Sequence, residues 1–312
     1  MKEKSNYNIH FIMMWAMFLL GNAVITVPYK NAERNNFLSF IIAFVSGLVL
    51  ILLLTPAFDF LYDEKRLSKN LVTVKIFYII SSILLIFLSV LCFRDYTDFV
   101  AFRMLPNTPR FIVSVIFALC VLWFSLQKDK IILKFSLFSL VITAIIIILL
   151  FIISIPRYRL ENIIVLQFPD IKDTLRQTSS YFVNVFVTLL PILLYKKCFF
   201  ENMEKKYICL AVVTGAVLLC ICLLNSLLLF GPQVASEMEF PYSDAISTVT
   251  VGELFTRMDG FSYFVFFASS IIKITACISV IKTLISRLGI KNKKAVAAVC
   301  CGLVFIGDCF LK

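Results

Sequence analysis

The chain has 312 residues, of which 61% are hydrophobic and only 16% charged, with a net charge of +11. This composition excludes a water-soluble globular domain. The positive excess is scattered over short connections between apolar runs and forms no single basic face, so no nucleic acid partner is implied.

Nine apolar runs succeed one another: Ile9–Val27, Phe37–Phe58, Val72–Phe93, Phe111–Leu126, Ile131–Ile155, Ser180–Tyr195, Tyr207–Phe230, Phe261–Ile281 and Ala295–Leu311. A spanning helix needs roughly 20 mostly apolar residues, and in lipid only helices or closed barrels satisfy every backbone group. The runs lack the alternation of barrel strands, which predicts an all-α, polytopic membrane protein of about nine transmembrane helices. One side of the membrane carries Lys2, Lys4, Lys65, Arg66, Lys69, Lys128, Lys130, Lys134, Lys196, Lys197, Lys205, Lys206, Lys282, Arg287, Lys291, Lys293 and Lys294, the larger share of the basic residues. The positive-inside rule makes that side, and the N-terminus, cytoplasmic. The first run lacks a small-x-small cleavage site and is expected to stay as a span. No soluble domain or low-complexity tract interrupts the series, so residues 1–312 are expected to form one transmembrane domain.

Within the first run, Gly21 and Asn22 weaken a helix, and Asn in hydrocarbon needs a partner. Opening the helix at Gly21-Asn22-Ala23-Val24 would offer backbone groups to a ligand at membrane depth. A closely packed helix using Gly21 for contact is the alternative. In the sixth run, Asn184 and Thr188 stand one turn apart before Pro191, giving a polar face at a proline kink or an interhelical hydrogen bond. Lys273 lies near the middle of the eighth run, with Ser269 and Ser270 one turn before it. An intramembrane cation should face the interior and be partnered. It could contact a ligand carboxylate, couple protons, stand where other carriers bind sodium, or tether a neighbouring helix. Asp308 falls inside the last run but close to the chain end, and is expected at the membrane interface. The ten cysteines show no CxxC pair and read as small buried hydrophobes. No catalytic motif occurs (no GxSxG, HExxH, Walker A or GxGxxG), and no His/Asp/Glu cluster suggests a metal. No enzyme activity, cofactor or metal is therefore expected.

The segments LLGNAVITVP (19–28), LPNTP (105–109), NVFVTLLPILLYKK (184–197) and FPYSDAISTVTVGELFTRMDG (240–260) resemble the endospore germination permease family. Its members are the B subunits of nutrient germinant receptors, within the amino acid/polyamine/organocation transporter superfamily. The resemblance implies ten helices in two inverted five-helix repeats, with the first and sixth helices broken around a midplane site. Here the first repeat would cover about 9–155 and the second about 178–312, and nine runs in place of ten imply that the tenth helix is lacking. Carried over residue by residue, the ligand site would comprise Gly21, Asn22, Ala23, Val24, Asn184, Thr188, Ser269, Ser270 and Lys273.

The expected function is then spore germination. The chain would be a multi-pass subunit in the spore inner membrane, binding a small nutrient such as an amino acid and working with a soluble-domain membrane subunit and a lipoprotein. Two rivals stand beside it: a secondary amino-acid permease coupled to protons or sodium, and a truncated or scaffold subunit that binds nothing.

Overall fold

The computed structural model describes residues 2–21, 36–61, 71–164, 175, 178–179, 191–200, 203–238, 240–248, 259–290 and 292–310. Among these residues every regular element is helical. The main helices are α1 (Lys2–Leu20), α2 (Asn36–Leu61), α3 (Leu71–Phe99), α4 (Arg110–Leu126) and α5 (Asp129–Ser154), then the short α6 (Glu161–Ile164). Residues 191–199 are also helical, and α7 (Lys205–Glu237), α8 (Pro241–Ser247), α9 (Asp259–Arg287) and α10 (Lys293–Phe310) follow. Five segments are long and apolar enough to cross a membrane: Ser39–Pro56, Lys75–Met104, Asp129–Arg157, Lys205–Ala235 and Gly260–Arg287. The chain is a polytopic helical membrane protein.

One helix sits inside the others. The apolar span of α9 is 89% buried against 33% for that of α5, which turns much of its surface to lipid. α9 packs on α1, α3, α4, α5, α8 and α10, and it carries the buried polar groups Ser262, Ser269, Ser270, Lys273, Thr275 and Ser279. A helix enclosed on all sides can hold polar groups that a lipid-facing helix cannot. Elsewhere, buried hydroxyls bond back to their own helix, as Ser82 does to Tyr78 O (2.8 Å) and Ser89 to Leu85 O (2.8 Å). Such a bond lets a hydroxyl sit in an apolar helix without an outside partner.

Several boundaries differ from those expected. The first helix is regular to Leu20, with Gly21 N still bonded to Met17 O at 3.1 Å. The sixth run lies mostly outside the described residues. Its helical end passes Tyr195 and takes in Lys196, which is buried and does not sit in an open connection. The seventh run continues beyond Phe230, because Gly231 adopts φ 78° and Pro232 starts a new helical stretch. Proline suits a first turn, where its missing N–H costs nothing, but it leaves the carbonyl four residues earlier without its donor. That carbonyl, Leu228 O, instead accepts from Arg159 N (3.1 Å) and Asn162 Nδ2 (3.1 Å), which docks the segment ahead of α6 onto the kink. α9 runs to Arg287, past the expected end at Ile281, and Lys282 is buried. Lys282 Nζ donates to Ser125 O (2.9 Å) in the last turn of α4, where a cation meets the negative end of the helix.

Candidate functional site

The last turn of α1 and the middle of α9 meet at one point. The two helices pack together, and both Gly21 and Lys273 are buried. A Cβ at position 21 would lie 2.8 Å from Lys273 Cδ and 3.1 Å from Phe18 O, so glycine is what lets the lysine stem cross this face of α1. Lys273 Nζ stands 5.3 Å from the centroid of the Phe18 ring. Among the described residues the ammonium has no hydrogen-bond partner, while the Ser270 hydroxyl one turn away lies against the Cys92 thiol. α3 makes a further wall, with Cys92 Sγ 4.0 Å from Ser270 O. Below Phe18, Trp15 packs on Phe18 (4.5 Å between centroids) and on Tyr195 (5.6 Å).

Magnitudes show what this arrangement lacks. A lysine at membrane depth costs about 2.5–3.5 kcal/mol or more. The Phe18 ring returns ~2 kcal/mol at best. Each hydrogen bond to a charged group is worth roughly 1.5–3 kcal/mol, and the ammonium has three donors to place. A ring face alone therefore leaves the charge under-compensated, and the site calls for an acceptor.

Of the residues expected in the site, Gly21 and Lys273 are brought into contact and Ser270 lies on the same face of α9. Ser269 is buried beside them, but its hydroxyl donates into its own helix, 2.7 Å from Val265 O and 3.1 Å from Phe266 O. Asn22, Ala23, Val24, Asn184 and Thr188 lie outside the described residues.

Asp308 is enclosed by protein. Its side chain is 1% exposed, and it accepts from Arg110 Nη2 (2.7 Å) and Ser114 Oγ (3.0 Å). Arg110 also holds Asp98 (2.5 Å), which lies 3.4 Å from Arg94. This network ties α10 to α3 and α4 around a buried acid.

Other residues were not singled out by sequence. Asn225 is buried in α7, with Oδ1 2.9 Å from the Tyr158 hydroxyl, which also lies 2.8 Å from Phe151 O. Burial pushes the Tyr158 phenol up to about 12, so it remains a donor. A lone Asn in an apolar run was the available signal. α8 is pinned twice: Arg103, in the π-helical turn Val100–Met104, pairs with Asp244, and Arg157 donates to Thr248 O. These contacts join positions far apart in sequence, so no spacing rule reveals them.

No curated protein matches the chain. The family model described as "Spore germination protein" matches residues 7–312, nearly the whole length. That is a transporter and receptor family, not an enzyme family, and its match extends over α10 as well as the segments that carry the resemblance. With a multi-pass helical bundle and a match of this extent, the chain belongs to the spore germination protein family.

Proposed function

We propose that this chain is the integral-membrane subunit of a nutrient germinant receptor, placed in the spore inner membrane with its N-terminus cytoplasmic. A small nutrient, most simply an amino acid, binds where α1 meets α9 between two inverted repeats of one domain. Binding shifts a two-state equilibrium that is felt by a soluble-domain membrane subunit and a lipoprotein. The observation that carries the reading is Lys273: a buried ammonium with no described acceptor, laid across Gly21 at the end of α1. Family membership supplies germination as the process.

The test is a spore strain carrying Gly21→Val at normal membrane levels. Loss of the nutrient response supports the site; an unchanged response to Gly21→Val and to Lys273→Ala would favour a scaffold that binds nothing. A permease coupled to protons or sodium would use the same buried cation, and vesicles carrying this chain alone distinguish it. Concentrative uptake there favours the permease, whereas nutrient binding without uptake favours the receptor.

A further inference from the structure

The helix ends around Lys282 form a basic corner. Lys282 Nζ bonds Ser125 O at the end of α4 (2.9 Å) and lies 4.0 Å from Asp129 Oδ1 at the start of α5. Cys301 Sγ lies 3.8 Å from Ser125 Oγ, which brings α10 to the same corner, and Lys293 is close enough to repel Lys282. Lys128, Lys130, Lys293 and Lys294 are exposed around it. Between Ser125 and Lys134, and again between Lys282 and Lys294, the one acid in the sequence is Asp129, so these turns carry a net positive charge. From the corner an open track runs along α10 toward mid-membrane. Lys294, Ala298 and Gly302 follow at i, i+4 and i+8 on one line of the helix. A Cβ at Gly302 would meet nothing within 4 Å. The adjoining line faces α4: Cys301 meets Ser125, and the Phe305 ring lies 6.0 Å from that of Phe111. The track therefore borders the seam between α4 and α10, where exposed Leu119 and Trp123 on α4 and Leu303 on α10 face lipid.

We propose that this seam holds an anionic phospholipid, with its phosphate at Lys128 and Lys294 and one acyl chain along Ala298 and Gly302. Basic pockets between helices at a membrane surface attract anionic headgroups, and a lysine lays its stem along an apolar chain while its ammonium reaches the phosphate. A zwitterionic headgroup brings its own cation toward the lysines, so charge favours the anionic lipid. An acidic protein segment would match the charge but leave the track at Gly302 empty. The apolar track that continues from the cations is what commits the surface to lipid.

The experiment uses the full chain in liposomes of dibrominated phosphatidylcholine, whose bromines quench a nearby indole. Trp123 is 59% exposed in the last turn of α4 and Trp15 is buried, so the quenching reports on the lipid beside α4. Unbrominated phosphatidylglycerol should restore fluorescence about tenfold more effectively, mole for mole, than unbrominated phosphatidylcholine. Lys128→Gln combined with Lys294→Gln should bring that ratio below about twofold. Gly302→Leu, which fills the track, should lower it several-fold, and Lys206→Gln on α7 should leave it unchanged. These positions are exposed or open, so the variants keep the fold. The proposal is overturned if the two lipids compete equally, which would leave the corner to an acidic protein segment. It is overturned if the double lysine variant keeps the preference, or if glycerol 3-phosphate in solution removes it, which would reduce the corner to a free phosphate site. An unchanged preference in Gly302→Leu would also overturn it, because charge alone would then attract the lipid without the seam.

Discussion

Replacing Asp308 with alanine removes the acid that anchors α10 and leaves Arg110 and Ser114 facing a space without an acceptor. A fully enclosed ion pair broken on one side costs roughly 3–5 kcal/mol. Arg110 is 21% exposed at its side chain and keeps Asp98 at 2.5 Å, so part of its charge remains compensated. The expected loss is therefore about 2–3 kcal/mol. Asp308→Asn keeps one of the two accepting oxygens and loses the charge, and should cost about 1–2 kcal/mol. Ser114→Ala removes one hydrogen bond between helices in a membrane interior, worth ~0.6 kcal/mol. Reversible unfolding of the purified chain in mixed micelles would order the three as Asp308→Ala, Asp308→Asn, Ser114→Ala. A cycle with Arg110→Ala should return a coupling of about 1–3 kcal/mol. The reasoning fails if Asp308→Ala unfolds within ~0.5 kcal/mol of the parent, or if Ser114→Ala costs as much as Asp308→Ala.

Gly21→Ala places a methyl 2.8 Å from Lys273 Cδ; it should lose about 1–3 kcal/mol by overpacking, and pairing it with Lys273→Met should recover part of that in the same unfolding assay. Asn162→Ala removes one of two donors to Leu228 O, and should cost ~1 kcal/mol in the same assay. Gly231→Ala forces a side chain into φ 78° with Asn162 Oδ1 3.2 Å from its Cβ, and a stability loss under ~0.5 kcal/mol would contradict the kink described. Lys282→Met leaves Ser125 O unbonded at the end of α4 and should cost ~1 kcal/mol, with increased thiol labelling of the neighbouring Cys301 as the local readout.

Much of the membrane architecture can be read along the chain, because each helix in lipid must satisfy its own backbone and so declares itself as an apolar run. Phe111–Leu126 becomes α4 almost residue for residue, and Gly21 and Lys273 stand out because lipid makes polarity and helix breaking costly at any depth. Composition and the segments around 19–28 and 240–260 likewise carried the family. Helix ends were less legible: the seventh run resumes beyond a kink at Gly231, where Asn162 and Arg159 bond the Leu228 carbonyl, and α9 extends to Arg287 beside a buried Lys282. Which polar groups meet was not legible at all. Asp308 finds Arg110 across 198 positions, and Tyr158 finds Asn225 across 67. The cost of polarity in lipid is local and marks each residue alone. The partner that meets that cost is chosen by how helices pack, and so only the tertiary structure could lay Lys273 across Gly21 or turn the Ser269 hydroxyl back onto its own helix.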